Sequence, residues 1–367
     1  MDQKAHTEEL ISKYKDYIAT IDALYKLKTR NEDEIDQLFK MIKTNLFDTN
    51  LSTPKMIIQQ IAGITSCCCH YFKSYWTLFK KIYEEYHPTP SITLSPVFDY
   101  FVYKEYGIVF DERSKMMFEE FESNKYSLDV HEENTIYWAI MNDDVKSLTA
   151  FTDAKSFDKN QKFYSYMYPD PINGLSLLEV CCIHSSIECF KFLTTKFEAQ
   201  VTSKCLQYAF ISGSQEILNE CLKSQKPNAE CMLFAIYSHN MDFVNLLIKE
   251  YGIQIDLESC GTMLNLQALL AYYEQTNDIF KCFVYSAYFN IPSLCEYFLS
   301  LGAKIDSKNN DHTALHAATS NNLKEIVEFL ISKGANINEE DGTCLHTAAW
   351  FNSNDVAEVL ISHGVDV

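Results

Sequence analysis

Three segments near the end of the chain align with one another without a gap, and this repeat constrains the fold more than any other feature. The segments begin at Lys281, Thr313 and Thr343, and in each of them a glycine stands 21 residues after the first position. A period of this kind is typical of units that cannot bury an apolar face alone and must stack on their neighbours. Each unit has room for two helices and a tight turn, so the sequence predicts a helical solenoid.

The same pattern continues upstream in degraded form. Its copies are NTIYWAIMNDDVKSLTAF from Asn134, SLLEVCCIHSSIECFKFL from Ser176, KCLQYAFISGSQEILNECL from Lys204, CMLFAIYSHNMDFVNLLI from Cys231 and LESCGTMLNLQALLAYYEQ from Leu257. From Ser176 to Lys281 the starts lie 28, 27, 26 and 24 residues apart, whereas the last two intervals are 32 and 30. The shorter intervals leave no room for a projecting β-hairpin. We therefore expect short hairpin fingers only in the C-terminal repeats.

The last two copies, TALHAATSNNLKEIVEFLISKGA and TCLHTAAWFNSNDVAEVLISHGV, resemble the ankyrin consensus TxLHxAA followed by xxIVxxLI and a glycine. The resemblance implies that a threonine caps the first helix, a leucine enters the core, a histidine ties neighbouring turns together and a glycine ends the second helix. The residues at these positions are Thr313, Leu315, His316 and Gly334 in one repeat, and Thr343, Leu345, His346 and Gly364 in the next.

The whole chain also resembles a large ankyrin family of parasitic protists, whose members carry a helical N-terminal domain of unknown function before increasingly regular repeats. The GLSLLEVCC stretch and the passage from IPSLCEYFL to GA carry this likeness. Ankyrin proteins as a class have no catalytic residues of their own. The resemblance therefore implies protein binding, with the partner unspecified.

The first part of the chain is predicted to be helical. Residues 7–28 carry one apolar stripe at helical spacing, Asn31 and the pair Thr53–Pro54 are suited to start helices, and Gly107 is suited to end one. We expect an all-α protein with a helical domain over 1–110 and an acidic boundary segment over 111–130. Degenerate short repeats follow over 131–280, and regular repeats over 281–367.

Composition narrows the class of protein. A hydrophobic content of 47% argues against disorder, and no apolar run is long enough to cross a bilayer. The net charge of −19 disfavours nucleic acid and fits a protein partner with a basic face. Thirteen cysteines, mostly inside apolar helical patterns, and a charged N-terminus indicate reduced thiols in the cytoplasm, with the nucleus as the other compatible compartment.

Four stretches invite a chemical interpretation. SCCCH at 66–70 places three consecutive cysteines on a predicted helix, where they would point about 100° apart and could not close on one metal ion. The lysines and aromatics of KSYWTLFKKIY fit an amphipathic helix. Cys344 with His346, and His312 with His316, occupy repeat positions that are spread along a solenoid. We expect no metal, no cofactor and no catalytic site.

In ankyrin proteins the two residues before the mid-repeat turn face the concave groove. Here they are Tyr288 and Phe289, Ser320 and Asn321, and Trp350 and Phe351, and the predicted patch adds the flanking residues Asn310, His312, Glu340 and Asp341. Exposed aromatics favour association; the alternative is that Phe289 or Phe351 is core. Residues 306–367 contain ten acidic residues and three lysines, a net charge of −7.

Three functions remain open from the sequence. The first is a non-enzymatic protein-interaction scaffold. The second is a substrate receptor, in which the N-terminal helices dock on a larger complex such as a ubiquitin ligase. The third is an enzyme with a site in the N-terminal domain, against which stands the lack of a glycine-rich phosphate loop, a GxSxG elbow or an HExxH pair. No small-molecule substrate is inferred.

Overall fold

The computed structural model describes residues 3–90, 92–309, 312–338 and 344–366. An N-terminal domain of seven α-helices comes first, with a π-helical turn at Lys43–Phe47 and 3-10 helices at Cys69–Tyr71 and Glu112–Met117. Its helices are α1 Gln3–Lys13, α2 Lys15–Tyr25, α3 Glu32–Ile42, α4 Pro54–Thr65, α5 Phe72–Tyr86, α6 Pro96–Tyr106 and α7 Phe118–Ser123.

The helix boundaries predicted from capping residues are confirmed. The Asn31 side chain accepts a hydrogen bond from the Asp33 amide, and Thr53 accepts one from the Met56 amide with Pro54 as the first helical residue. Gly107 ends α6 with a φ of 69°, a left-handed conformation that suits glycine. The predicted helix over 7–28 is instead two helices that meet at Tyr14.

The N-terminal domain has an aromatic core that the acidic boundary segment helps to complete. Phe98 on α6 packs against Trp76 and Phe79 on α5, with ring centroids 5.4 Å and 5.1 Å away. Phe121 in α7 is fully buried against Tyr100 on α6. Residues 111–123 therefore fold onto the preceding helices, although their sequence has no clear apolar stripe.

Eight helix pairs follow in the described part of the chain, each joined by a short turn. They are α8 Ile136–Met141 with α9 Val145–Thr152, α10 Leu177–His184 with α11 Ile187–Phe197, α12 Ser203–Ser212 with α13 Gln215–Leu222, α14 Ala229–Tyr237 with α15 Met241–Tyr251, α16 Leu257–Thr262 with α17 Leu266–Thr276, α18 Ile279–Ser286 with α19 Pro292–Ser300, α20 Ala314–Ser320 with α21 Lys324–Ser332, and α22 Cys344–Trp350 with α23 Asn354–Ser362. The first helix of each pair contacts the first helices of its neighbours, which is the predicted solenoid.

The turns inside the pairs form one continuous edge of the solenoid, which we call the turn edge. One residue with positive φ stands in each of these turns: Asp143, Ser185, Gly213, His239, Leu264, Asn290, Asn322 and Asn352. Some of their side chains form hydrogen bonds to the next repeat. For example, Asn322 accepts a hydrogen bond from the Val356 amide at 3.1 Å. The shared backbone geometry explains how repeats with little sequence identity keep the same turn.

The position of the hairpins differs from the prediction. The two strands of the described residues, β1 Lys162–Phe163 and β2 Leu175–Ser176, pair antiparallel between the first and second helix pairs. In the described residues of the connection before α20 there is one isolated bridge, between Asn309 and His312. A hairpin is therefore not confined to the C-terminal repeats. The comparison of intervals began at Ser176, whereas the start at Asn134 lies 42 residues before it and leaves room for this hairpin.

The N-terminal domain does not precede the solenoid as a separate body but lies along its turn edge. Lys28 donates a hydrogen bond to the Ser212 carbonyl at 2.6 Å, and Tyr237 donates one to the Gly63 carbonyl at 3.3 Å. Lys55 forms an ion pair with Asp355 in the last helix pair at 2.6 Å. These contacts reach from the third helix pair to the eighth, so the two parts share one continuous core.

Candidate partner-binding cleft

Four of the side chains that the sequence predicts for partner binding line one cleft of about 380 Å³ between the C-terminal repeats. They are Tyr288, His312, Ser320 and Phe351. The cleft crosses four consecutive first helices, α16, α18, α20 and α22, and the stacking of the repeats therefore assembles it. We call it the partner cleft.

Two parallel tyrosine rings form one wall of the partner cleft. Tyr285 and Tyr288 stack with their centroids 5.8 Å apart and their planes 20° apart. Asn309 donates a hydrogen bond to the Tyr285 hydroxyl at 2.9 Å, so the connection before α20 fixes this ring. Because both rings are held before any partner arrives, less conformational entropy is lost on binding.

A glycine in the neighbouring repeat makes room for Tyr288. A Cβ placed on Gly261 would lie 2.6 Å from Cγ of Tyr288, which is closer than real Cβ atoms approach. Gly261 is buried inside α16, where glycine otherwise costs about 1 kcal/mol relative to alanine. Sequence reasoning missed this residue. An unexplained glycine inside a helical pattern is the signal that could have found it.

The partner cleft has an acidic character. Glu258 lines it, and Asp256 caps the same helix by accepting a hydrogen bond from the Ser259 amide. Burial raises the pKa of Tyr285 and of Tyr288, and the charges of these two carboxylates raise them further. The tyrosines therefore stay neutral hydrogen-bonding groups, and the net charge that an approaching partner meets is negative.

Two exposed aromatic residues follow α22 or end it, in the last repeat. Phe351 is 49% exposed and lines the cleft, and Trp350, the residue before it, is 78% exposed and does not line it. Such exposure has no benefit for folding, because apolar surface in water is unfavourable. Ile361 in the last helix is also 58% exposed and does not line the cleft, which makes it a useful comparison.

Other residues of the predicted patch lie elsewhere. The prediction for Phe289 is corrected: its side chain is fully buried in the core and cannot contact a partner. Asn321 donates hydrogen bonds to the Ala317 carbonyl and Ser320 hydroxyl, and it lines a different cleft, beside Lys55 of the N-terminal domain. Asn310, Glu340 and Asp341 lie outside the described residues.

The geometry of the repeat motif is described for the copy that begins at Thr313, where the histidine bonds within its own repeat. Thr313 caps α20 by accepting a hydrogen bond from the His316 amide, and the buried His316 ring bonds back to Thr313. Leu315 is buried, and Gly334 and Gly364 end the second helices with positive φ. In the last repeat, Leu345 is half-buried and His346 is exposed. Thr343 lies outside the described residues.

The stretches that invite a thiol or metal interpretation are Cys67–Cys69 with His70, Cys344 with His346, and His312 with His316. All thirteen cysteines are free thiols, and in the described residues no group of three or more His, Cys, Asp or Glu side chains could hold a metal ion. SCCCH is not helical throughout, since α4 ends at Thr65 and Cys69 begins a 3-10 turn. Burial raises the pKa of Cys67 to about 12 and that of Cys68 to about 11, which suppresses thiolate chemistry.

A histidine on the turn edge fastens the N-terminal domain to the repeats. His239 is 2% exposed, and its Nδ1 lies 2.7 Å from a carboxylate oxygen of Asp22 on α2. Its Nε2 lies 2.9 Å from the Met263 carbonyl, and its ring stacks on Tyr25 at 4.1 Å. We call these four residues the histidine clamp. The inner surfaces of α2 and α4 are thus occupied by the repeats.

No helix of the described residues is long and apolar enough to span a membrane.

Comparisons with known proteins agree with the repeat architecture. Residues 197–272 match the model of a domain of unknown function, DUF3447, and residues 283–367 match the model of ankyrin repeats in three copies. The first match lies within the short repeats. The crystal structure of the human ASB11 ankyrin repeat domain is similar at 19% identity with a TM-score of 0.29, and the match covers 65% of this chain and 100% of that one. No curated protein matches the chain.

Proposed function

Because residues 283–367 are ankyrin repeats, we propose that this chain is a non-enzymatic protein-interaction scaffold that binds a partner protein through the partner cleft. The observation that carries the proposal is that the half-exposed Phe351 lines the same cleft as the two fixed rings of Tyr285 and Tyr288, and that the exposed Trp350 precedes it in the chain. Aromatic residues dominate binding hot spots, and rigid rings lose little entropy on contact.

The chemistry of the partner follows from the charge of this region. Glu258 lines the partner cleft, and the sequence from 306 to 367 has ten acidic residues against three lysines. A partner segment with an apolar side chain for the cleft and basic residues beside it complements both features. Asn310, Glu340 and Asp341 remain part of this proposal on the strength of the sequence alone.

Binding to the partner captured from the native cell tests the proposal. Trp350→Ala is expected to weaken binding by about 2 kcal/mol, roughly 30-fold, if the ring anchors the partner, and to leave the melting temperature unchanged because the ring is exposed. Ile361→Ala removes a comparably exposed apolar side chain from the same repeat and is expected to bind as the parent does. Affinity should also fall as salt rises.

Two outcomes contradict the proposal. One is full affinity in Trp350→Ala. The other is a lowered melting temperature with unchanged affinity, which would make the ring a structural residue. The capture uses the full chain, because removal of the N-terminal domain would expose His239 and Tyr237 on the turn edge and create artificial contacts.

The substrate-receptor function has less support than the scaffold. It requires the N-terminal helices to dock on a larger complex. The faces of α2 and α4 that carry Asp22 and Lys55 already contact the repeats, as does Lys28 in the connection after α2. A receptor of that kind would have to use the outer surface of the domain. Binding of the larger complex that survives Trp350→Ala would favour it.

A further inference from the structure

A second and larger cleft lies far from the partner cleft in the sequence. It has a volume of about 750 Å³ and lies between residues 120–137 and the hairpin region 163–171. Five aromatic side chains line it: Tyr126, Tyr137, Phe163, Tyr164 and Tyr166. We call it the aromatic cleft. Its volume is in the range of ligand-binding sites, and a group of five aromatic side chains at one cleft is more typical of a binding surface than of a purely solvated one.

The rings of the aromatic cleft are held from behind. Tyr126 and Tyr166 both pack on the fully buried Phe121, with centroids 5.0 Å and 5.4 Å away. The Tyr126 hydroxyl also accepts a hydrogen bond from the Tyr166 amide at 2.9 Å. On the other side, Tyr137 and Phe163 lie 4.1 Å apart. These four rings are therefore in place before a ligand arrives.

Tyr164 is placed by a glycine, as Tyr288 is in the partner cleft. A Cβ on Gly174 would lie 2.7 Å from the Tyr164 ring, and Gly174 has a φ of 66°. The ring therefore packs closely against the backbone of Gly174, where a side chain would collide with it. Tyr164 is nevertheless 61% exposed. A large ring held in place with most of its surface in water is available for stacking.

A chain of buried polar groups stands behind the cleft. His131 lines the cleft and is 8% exposed; its Nε2 lies 2.6 Å from the Tyr168 hydroxyl, which lies 2.5 Å from Nε2 of His184. Nδ1 of His184 is buried without a hydrogen-bond partner. A buried orphan acceptor is less costly than a buried orphan N–H. The protonated nitrogen of His184 is therefore Nε2, which donates to Tyr168.

The Tyr168 hydroxyl connects three groups behind the cleft. If it accepts from His184, its own O–H has two acceptors within reach, Nε2 of His131 and the sulfur of Cys69. His131 is neutral at pH 7, since burial lowers its pKa to about 4. A neutral imidazole, with one N–H and one acceptor nitrogen, therefore lies in the cleft lining.

The charged residues of the cleft are mainly acidic. Glu120 and Glu132 line it. Lys125 is the basic residue of the lining. Carboxylates beside exposed rings favour a cationic group, which can stack on a ring and pair with a carboxylate together.

We propose that the aromatic cleft binds an extended, proline-containing segment of a partner protein that carries an arginine. A polyproline II segment has no internal hydrogen bonds and is already extended, so it docks on fixed rings at low entropic cost. The carboxylates of Glu120 and Glu132 receive the guanidinium, and the neutral ring of His131 offers a hydrogen-bonding group to the backbone of the segment. This site is separate from the partner cleft and does not depend on it.

The test is a titration of the full-length protein with the synthetic peptide Arg-Ala-Pro-Pro-Ala-Pro-Pro-Ala by isothermal calorimetry. We expect saturable binding that weakens about 5-fold or more in Tyr164→Ala, the loss typical of one exposed aromatic contact. Glu132→Gln should weaken binding and reduce its salt dependence. Tyr103→Ala, whose ring is 46% exposed on α6 outside the cleft, should bind as the parent does.

Several results would overturn this proposal. Absence of saturable binding is one, and equal affinity in Tyr164→Ala is another, with circular dichroism showing that the variant is folded. A peptide with glutamate in place of arginine that binds equally well refutes the role of the carboxylates. A peptide with alanine in place of every proline that binds equally well refutes the proline requirement. None of these outcomes bears on the partner cleft, which has its own test.

Discussion

The histidine clamp provides the sharpest prediction of how the two parts of the chain are joined. Nδ1 and Nε2 of His239 face a carboxylate oxygen of Asp22 and the Met263 carbonyl, and both of these groups are acceptors. A neutral imidazole has one N–H and can donate only once. Both hydrogen bonds form together only if His239 is a doubly protonated imidazolium, paired with the Asp22 carboxylate. We predict that Asp22→Asn destabilises the whole protein.

The magnitude follows from burial. The His239 side chain is 1% exposed and that of Asp22 is 23% exposed. Removing one partner from a fully buried ion pair costs about 3–5 kcal/mol. Asp22 is partly open to water, and the asparagine oxygen can still accept a hydrogen bond. We therefore expect Asp22→Asn to lower the free energy of unfolding by less than this, about 2–3 kcal/mol. The exposed pair between Asp22 and Lys26 adds little.

Urea unfolding followed by circular dichroism at pH 7 measures this loss. Asp16→Asn is the matched control, because Asp16 is an exposed carboxylate on the same helix, and it should cost about 0.5 kcal/mol or less. Nitrogen chemical shifts of the His239 ring should show two protonated nitrogens in the parent protein. Equal stabilities of Asp22→Asn and Asp16→Asn would refute the reasoning.

The pH dependence has a defined sign. Burial alone would raise the pKa of Asp22, but the hydrogen bond and charge of His239, with the charge of Lys26, outweigh it and lower the pKa below the ordinary value of 3.8. A carboxylate with a lowered native pKa stabilises the fold above its unfolded pKa and loses that contribution as pH falls through the native value. The difference between parent and Asp22→Asn should therefore persist at pH 5 and vanish only in strong acid.

Two further predictions concern other buried groups. Gly261→Ala should lower the free energy of unfolding in urea by about 1–3 kcal/mol, because the added Cβ collides with Tyr288. The same change should weaken partner binding, because it displaces the Tyr288 ring. An unchanged urea midpoint and an unchanged affinity would contradict this prediction. Burial lowers the pKa of His70 and of His131 to about 4, so both are neutral in the fold and their stabilisation is fully present above pH 6.5 and is lost as pH falls towards 4. His131→Gln should reduce the loss of stability between pH 6.5 and 4.5 by up to about 3 kcal/mol, and an unaltered pH profile would contradict it.

Local features of the fold could be predicted from sequence because they depend on residues near one another in the chain. The caps at Asn31 and Thr53, the end of α6 at Gly107 and the Thr313 box each need only a few consecutive residues. Stacking of the repeats was predictable for a related reason, since a period in the sequence reports a period in space. The match of residues 283–367 to ankyrin repeats confirms that interpretation.

The packing of the N-terminal domain on the turn edge could not be predicted in this way. The contacts named above join residues between 174 and 300 positions apart, such as Asp22 with His239. Turn residues also have no periodic pattern in the sequence that would predict which residue they contact. Phe289 failed for a different reason. It occupies the repeat position of Phe351, yet Phe289 is fully buried and Phe351 is half exposed. Equal positions in a repeat do not give equal burial.

The packing along the turn edge also determines which surfaces remain for partners. An ankyrin solenoid offers both its groove and its turn edge, but here the turn edge holds the N-terminal domain through the histidine clamp and the Lys55–Asp355 pair. The rings of the partner cleft are instead held by groups within the repeats, namely Gly261 for Tyr288 and Asn309 for Tyr285. Loosening the N-terminal domain should therefore lower stability without disassembling the partner cleft. Asp22→Asn is expected to retain the partner affinity of the parent under conditions where it stays folded, whereas Gly261→Ala is expected to lose it. The opposite result would mean that the N-terminal domain shapes the cleft through the core that the two parts share.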